Sequence, residues 1–267
     1  IIHKYTYNNN ILLVTNSGQF IQIDLYNKIT NNISLPIEDK VLPGGGIVFN
    51  KNNIFILLSS GEIIVLDWKL NIVNQYKYKY LFISPPIIHN NKIYIIDINN
   101  NLVEFNFSLK NERIFVPQYS SEEIYVPCCP PTIYKDYIIY STTHGEVFFI
   151  KTDTMQAVNV GIDYNKKFNT KNPILIYKNY IIITSDSETI CIEQNIDEKN
   201  GNDTFNVRWA VSIGSTHKLL IYENMLCIIN NEGINIFDIN TGAKKYNIII
   251  PIKFNIIEIL YNIIIIS

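Results

Sequence analysis

Two adjacent cysteines, Cys128 and Cys129, are the residues whose type and spacing most readily suggest chemistry. A thiolate is a nucleophile and a redox centre, so an exposed pair with a low pKa could serve in redox or cofactor chemistry. The remaining cysteines, Cys191 and Cys227, form no C-x-x-C pair, and no histidine stands at a spacing suited to zinc. Cysteine usage therefore predicts neither a disulfide scaffold nor a zinc site.

The histidines and carboxylates form no catalytic constellation in the sequence. No histidine has a histidine partner at i+2 or i+4, the spacings that bring two ligands to one metal ion. The histidines are His3, His89, His144 and His217. The glycines at 44–46 precede a strand pattern and not the helix that an anion cradle requires, and no P-loop, dinucleotide or Gly-x-Ser-x-Gly motif occurs. We therefore predict no enzymatic activity, no cofactor and no metal ion.

The composition indicates a folded chain without electrostatic attraction for nucleic acid. Hydrophobic residues make up 47% of the chain and charged residues 17%, which supplies a sizeable core and excludes general disorder. The 22 basic and 24 acidic side chains leave a net charge of -2, and no stretch concentrates lysine and arginine. We therefore predict no nucleic-acid partner.

One pattern recurs along the whole chain: a short strand, a polar turn, an isoleucine-rich strand, a turn with glycine, and another alternating strand. Residues 49–67 and 133–150 are two clear copies. The turn positions, 40 to 46 residues apart, are Gly18, Gly61, Asn101, Gly145, Ser187 and Gly233. This spacing is the length of a four-stranded propeller blade. Six units are visible, and a seventh begins at Leu260.

The repeat predicts an all-β fold, a β-propeller of four-stranded antiparallel blades, with a β-solenoid as the weaker alternative. Glycine or asparagine permits the positive φ of a tight hairpin, and Ser187 is the exception. The apolar stretch at 247–267 contains Pro251 and charged residues, so we interpret it as two strands with a turn and not as a membrane helix. We expect a single domain over residues 1–267, truncated at both ends.

Three tyrosines, Tyr76, Tyr78 and Tyr80, alternate with lysines. On a strand this spacing places the three rings on one face. We interpret them as part of an outer blade strand that packs on its neighbour, with a peptide-binding platform as the alternative.

The units resemble the quinoprotein-type (PQQ-like) propeller repeat, in which a strand closing in Leu-Asp is followed by Thr-Gly-Lys and a tryptophan. The sixth unit, residues 236–246, keeps this pattern best, with Tyr246 in the tryptophan place, and Trp209 closes the fifth unit. The order of variants resembles the BamB family of outer-membrane assembly lipoproteins, in its alphaproteobacterial form. The segments that carry this resemblance are 44–47 (Gly-Gly-Gly-Ile), 60–62 (Ser-Gly-Glu), 84–86 (Ser-Pro-Pro), 99–102 (Asn-Asn-Asn-Leu), 145–148 (Gly-Glu-Val-Phe) and 213–215 (Ile-Gly-Ser).

The resemblance implies a non-enzymatic scaffold, eight-bladed in the full protein, that a lipid anchors to the periplasmic face of the bacterial outer membrane. It also implies docking on the periplasmic domains of the barrel-inserting subunit of the β-barrel assembly machinery, with unfolded outer-membrane proteins as further partners. In that family the docking residues lie in loops just before the proline that opens the next blade. Counted back from Pro131 and Pro173, they fall on Glu123, Tyr125, Val126, Phe168 and Thr170.

Two other functions remain open at the level of the sequence. The Cys128–Cys129 pair is similar to the vicinal disulfide of quinoprotein alcohol dehydrogenases, which implies a dehydrogenase that uses pyrroloquinoline quinone and calcium. The loss of most repeat tryptophans argues against that enzyme, and we interpret these cysteines as filling small-residue positions before Pro130. PQQ-like repeats also occur in luminal sensor kinases, which would require a transmembrane helix and a kinase downstream.

Overall fold

A computed structural model describes residues 3–7, 10–14, 19–24, 28–34, 45–110, 112–118, 129–160, 168, 172–196, 203–249, 257–260 and 263–266. Within these ranges all regular elements are β-strands. A helix of the length and apolarity needed to cross a membrane is not found among them. The chain divides into two compact units, Ile1–Pro117 and Gln118–Ser267. The expectation of a single domain stays a prediction.

The first unit contains three four-stranded sheets, numbered 1 to 3 in chain order. Sheet 1 consists of β1 (His3–Tyr7), β2 (Asn10–Val14), β3 (Gln19–Asp24) and β4 (Lys28–Ser34). Sheet 2 consists of β5 (Gly46–Phe49), β6 (Asn53–Leu57), β7 (Glu62–Asp67) and β8 (Ile72–Lys77). Sheet 3 consists of β9 (Ile87–His89), β10 (Lys92–Ile96), β11 (Leu102–Asn106) and β12 (Glu112–Phe115).

The second unit contains sheets 4 to 6 and one strand pair. Sheet 4 consists of β13 (Thr132–Tyr134), β14 (Tyr137–Ser141), β15 (Val147–Lys151) and β16 (Gln156–Ala157). Sheet 5 consists of β17 (Leu175–Tyr177), β18 (Tyr180–Thr184), β19 (Thr189–Ile196) and β20 (Asp203–Val211). Sheet 6 consists of β21 (Leu220–Tyr222), β22 (Met225–Asn230), β23 (Gly233–Asp238) and β24 (Lys244–Ile249), and the pair is β25 (Ile257–Leu260) with β26 (Ile263–Ile266).

Each repeat read from the sequence corresponds to one of these six sheets, whose strands are antiparallel and follow one another in chain order. This confirms the predicted all-β fold with four-stranded antiparallel blades. The pair β25–β26 likewise confirms that the C-terminal apolar stretch forms strands.

The turn between the second and third strands has the predicted left-handed residue in most units. Gly61, Gly145 and Gly233 have φ values of 87°, 80° and 137°. In the third unit the prediction was wrong by one residue, because Asn100, with φ 60°, takes this conformation. The amide of Asn100 donates to the carbonyl of Asp97, as the amide of Gly61 donates to Leu58, so Asn100 and not Asn101 is the counterpart of Gly61.

The middle strands of sheets 2 and 5 are buried on both faces, because each of these sheets packs face to face against two others. Sheet 2 contributes alternate residues to two clusters. One cluster joins sheets 1 and 2 through Leu12, Phe20, Ile54, Ile56, Ile64 and Leu66. The other joins sheets 2 and 3 through Phe55, Leu57, Ile63, Val65, Ile93, Ile95, Val103 and Phe105. Sheet 5 is shared in the same way between sheets 4 and 6. Alternate side chains along these strands therefore pack against different neighbouring sheets. The period-two alternation does not separate core residues from solvent-exposed residues.

Trp209 fastens sheet 5 to sheet 6. Its indole Nε1 donates a buried hydrogen bond of 2.9 Å to the carbonyl of Ile239, in the turn that follows β23. The ring lies against Gly242, where a Cβ would come within 2.7 Å of the Trp209 Cγ and φ is +70°. Asp238 shapes the same turn, since its Oδ1 accepts from the amides of Asn240 and Thr241 at 3.0 and 3.1 Å. The turn with Thr241 and Gly242 therefore receives the Trp209 ring, and we call this turn the Trp209 socket.

In the second compact unit, Gln118–Ser267, tyrosine hydroxyls also form hydrogen bonds between neighbouring sheets. The hydroxyl of Tyr134 donates to the carbonyl of Asn179, 45 residues further along the chain. The hydroxyl of Tyr177 donates to the carbonyl of Glu223, 46 residues further. Both tyrosines end the first strand of their sheet, so the bond recurs with the repeat. Tyr246, which replaces the tryptophan of the sixth unit, is instead exposed.

Glu104 is a buried carboxylate at the centre of sheet 3. It accepts hydrogen bonds from Arg113 Nε at 2.7 Å and Tyr94 Oη at 2.9 Å, and pairs with Lys92 Nζ at 3.0 Å. Burial alone would raise the pKa of Glu104, but the bonds from Arg113, Lys92 and Tyr94 outweigh it, so the pKa is lowered. The carboxylate is therefore ionised at neutral pH and joins three strands of one sheet.

Gly242→Ala should lower the free energy of unfolding by about 2 kcal/mol, because the new Cβ meets the Trp209 ring and the positive φ becomes strained. Urea denaturation at pH 7 measures the change. Thr241→Ser, which keeps the hydroxyl that bonds Asp238, is the control in the same turn and should stay within about 0.5 kcal/mol of the wild type. Equal stability of Gly242→Ala and the wild type would contradict the socket.

Glu104→Gln should lower the free energy of unfolding at pH 7 by about 1–3 kcal/mol, because Arg113 and Lys92 lose their shared anion. Because the pKa of Glu104 in the folded protein lies below the ordinary glutamate value of 4.5, the stabilisation by the wild-type carboxylate is present above about pH 4.5 and is lost as the pH falls through the folded pKa. Stability curves from pH 7 to pH 3 should therefore converge at the acid end. Glu62→Gln is the control, and parallel curves would refute the assignment.

Candidate docking surface

The predicted docking residues lie mainly outside the described part of the chain. Glu123, Tyr125, Val126 and Thr170 are not among the described residues. Phe168 is described, and only 2% of it is exposed. It belongs to the hydrophobic cluster between sheets 4 and 5, which also contains Phe149 and Phe205. The ring of Phe168 therefore serves the core, and docking by the loop around it stays a prediction.

The backbone of Phe168 is bonded to the preceding sheet. Phe168 lies in the segment that joins sheets 4 and 5, and we call such a segment between consecutive sheets a connector. The amide of Phe168 donates to the carbonyl of Gly145, in the turn of the preceding sheet, at 2.7 Å. The connector between sheets 2 and 3, residues 78–86, begins with the same bond, from the amide of Tyr78 to the carbonyl of Gly61 at 2.8 Å. Tyr78 is therefore the counterpart of Phe168. Residues 78–86 all lie within the described part of the chain.

Tyr78 anchors the connector through its ring and its hydroxyl. The ring stacks on Phe82, with centroids 5.4 Å apart and an interplanar angle of 8°, and meets the edge of Phe105 at 5.7 Å. The hydroxyl donates to Asp97 Oδ2 at 3.0 Å. Burial, and then the charge of Asp97, raise the pKa of Tyr78 well above its usual range. The phenol therefore remains protonated and keeps donating.

The carboxylate of Asp97 accepts hydrogen bonds from the turn that begins at this residue. Its Oδ1 accepts from the amides of Asn99 and Asn101, each at 2.9 Å, and its Oδ2 accepts from Asn101 Nδ2 at 2.9 Å. With the Tyr78 hydroxyl, four donors surround this buried carboxylate. A buried charge is tolerated when it is hydrogen-bonded in this way. Asp97 is therefore a structural hub.

Gly61 lets the connector approach the turn closely. A Cβ at this position would lie 2.3 Å from the carbonyl oxygen of Tyr80 and 3.0 Å from that of Tyr78. With φ at +87° as well, only glycine fits. The Ser-Gly-Glu turn recognised in the sequence thus fixes the position of the residues that follow Tyr78.

Between its buried anchors the connector exposes apolar side chains. Tyr80 is 39% exposed and Leu81 48%, and Ile98 in the adjacent turn is 49% exposed. The amide of Ile98 donates to the carbonyl of Leu81 at 2.9 Å, which holds the two residues side by side. We call Tyr80, Leu81 and Ile98 the connector patch.

The sequence interpretation missed this patch. Tyr76, Tyr78 and Tyr80 do not share one strand face, because β8 ends at Lys77 and the connector buries Tyr78 while exposing Tyr80. The spacing to the next proline could have indicated this patch. Tyr80 and Leu81 precede Pro86 by six and five residues, and Tyr125 and Val126 precede Pro131 by the same distances.

The three described cysteines, Cys129, Cys191 and Cys227, are buried. Cys128 is not described, so its pairing with Cys129 stays untested. Burial raises the pKa of the Cys129 thiol to about 12, and burial raises that of Cys191 to about 12. Both are therefore protonated at neutral pH. Over the same part of the chain, no group of three or more His, Cys, Asp or Glu side chains could hold a metal ion.

Phe168→Ala should lower the free energy of unfolding by about 3–5 kcal/mol, because it leaves a cavity between sheets 4 and 5. Val116→Ala is the control, since Val116 is 65% exposed, and should change stability by less than about 0.5 kcal/mol. Urea denaturation of both variants measures the difference. A stable Phe168→Ala variant would mean that the ring does not serve the core.

Comparison with solved structures gives a likeness to β-propellers. The crystal structure of BamB from Moraxella catarrhalis matches with a TM-score of 0.66 and 15% sequence identity, over 91% of this chain and 71% of that one. The computationally designed Ika8 protein also matches with a TM-score of 0.66, at 12% identity, over 98% of this chain and 79% of that one.

These likenesses are structural and not sequence-based. No protein-family model matches the sequence, and no curated protein matches it. In contrast, 1248 chains of solved structures match. At identities of 15% and 12%, the two matches establish the architecture alone. The chain has a β-propeller fold of the kind seen in BamB.

Proposed function

We propose that this protein is a non-enzymatic scaffold of the outer-membrane β-barrel assembly machinery, docking on the barrel-inserting subunit from the periplasmic face of the outer membrane, where a lipid anchors it. The observation that carries the proposal is the structural likeness to BamB over 91% of the chain. Four of the sequence motifs that resemble the BamB family, at 60–62, 84–86, 99–102 and 213–215, lie at turns and connectors.

The connector between sheets 2 and 3 supports a role in binding proteins. Tight turns and buried anchors hold it, and yet it presents Tyr80 and Leu81 to solvent. Rigid loops that expose apolar side chains are typical of docking sites, because little conformational entropy is lost on binding. The likeness to the designed Ika8 protein shows that the fold alone would not indicate a function.

The buried polar groups support a scaffold more than an enzyme. Asp97 and Glu104 each accept several hydrogen bonds from neighbouring residues. The bonds from Arg113, Lys92 and Tyr94 lower the pKa of Glu104, which makes it a poor proton donor at neutral pH. The raised pKa values of Cys129 and Cys191 likewise make these thiols weak nucleophiles.

Affinity purification of the tagged full-length protein from its own cells, in mild detergent, should recover the barrel-inserting subunit. A tagged β-propeller of unrelated function, expressed at the same level, is the control and should not recover it. Absence of that subunit would overturn the proposal. Dye-linked alcohol oxidation after incubation with pyrroloquinoline quinone and calcium should remain at background, and turnover would favour the dehydrogenase instead.

A further inference from the structure

We propose that the connector patch, Tyr80, Leu81 and Ile98, binds a segment of a partner protein in which an apolar side chain is flanked by carboxylates. This inference rests on the proposed docking function and extends it to a connector that the sequence motifs did not identify. It specifies both a surface on this chain and the chemistry of the segment that the surface accepts.

The patch is rigid before any partner binds. The amide of Phe82 donates to the carbonyl of Ser59 at 3.0 Å, and the amide of Ile83 donates to that of Ile96 at 2.9 Å. With the bonds at Tyr78 and Ile98, the connector is fixed to sheet 2 on one side and to sheet 3 on the other. A surface of this kind binds with a small entropic cost, so even a few side chains can contribute usefully.

The patch offers anchors of the type that dominate protein interfaces. Tyr80 combines a large apolar ring with a hydroxyl, and Leu81 and Ile98 add aliphatic surface next to it in the fold. Aromatic residues are enriched among the residues that contribute most to interfaces. An apolar side chain of the partner could bury itself against this group.

The charges beside the patch favour an acidic partner. The ammonium group of Lys79 lies 5.0 Å from the centroid of the Tyr80 ring. Lys77 is also exposed, and its ammonium donates to the carbonyl of Ser60 at 2.9 Å. Of the carboxylates on the strands and turns around the patch, Asp97 is buried under four donors, Glu62 faces Lys77 across the ladder, and Glu112 accepts from the Tyr76 hydroxyl at 3.2 Å. The charge that lies against the apolar side chains themselves is therefore the ammonium group of Lys79.

A protein segment fits this surface better than a membrane does. Stable attachment to a bilayer needs a large apolar face or a lipid chain together with a polybasic region. Three apolar residues and two lysines fall short of that requirement. They are sufficient for a weak, local contact that contributes to a larger docking interface.

The affinity of the full chain for the purified periplasmic domains of the barrel-inserting subunit tests the proposal. Leu81→Ser and Ile98→Ser should each raise the Kd by about tenfold, because each removes an apolar anchor. Lys79→Glu should raise the Kd several-fold at low salt, and its affinity should depend less on salt than that of the wild type. Isothermal titration calorimetry at ionic strengths of about 50 and 300 mM measures both effects.

Val73→Ser is the matched control, because Val73 is 52% exposed in the same unit but lies near the end of β8 that is opposite to the connector. It should bind as the wild type does, and thermal unfolding should show that all variants are folded. If the wild type binds and the three patch variants bind equally well, the inference is wrong and the proposed function stands. If the wild type does not bind, both fall. Binding to anionic lipid vesicles that Leu81→Ser abolishes, without an effect on the subunit, would also overturn the inference.

Discussion

Apolar residues can fill both faces of a strand only when another sheet lies on each side of it. In this protein the second and third strands of sheets 2 and 5 meet that condition, and each of these sheets divides its side chains between two hydrophobic clusters. Removing either neighbour would expose a row of isoleucine, leucine and phenylalanine. The stability of each unit therefore depends on sheet-to-sheet packing more than on any single hydrogen bond.

Face-to-face packing is not directional, so polar contacts must set how one sheet sits on the next. Trp209 and its Thr-Gly socket do this between sheets 5 and 6. Tyrosine hydroxyls that reach the next sheet do it at Tyr134, between sheets 4 and 5, and at Tyr177, which adds to Trp209 between sheets 5 and 6. Both kinds of contact join a side-chain donor on one sheet to a backbone carbonyl on the following sheet. Every sequence supplies such carbonyls.

The connectors use the same principles for a different purpose. Tyr78 and Phe168 take equivalent positions, each with a buried ring and an amide bonded to a turn glycine. In the described connector Phe82 and Ser84 are buried as well, and Tyr80 and Leu81, which lie between Tyr78 and Phe82, are left in solvent. The surface proposed for docking is therefore a consequence of how one sheet is joined to the next.

The sequence by itself determined the all-β class, the four-stranded unit and its spacing, because period-two alternation and turn residues are local properties that recur every 40 to 46 residues. It also identified Trp209 and the Thr-Gly turn as parts of the repeat, since each belongs to a short continuous motif, but the contact between them is visible only in the structure. It did not separate Tyr78 from Tyr80, or assign Phe168 to the core, because both depend on which side of a connector meets the neighbouring sheet. Only the tertiary structure decides that, through contacts between residues that lie far apart in the chain, such as Tyr78 with Asp97 and Phe105.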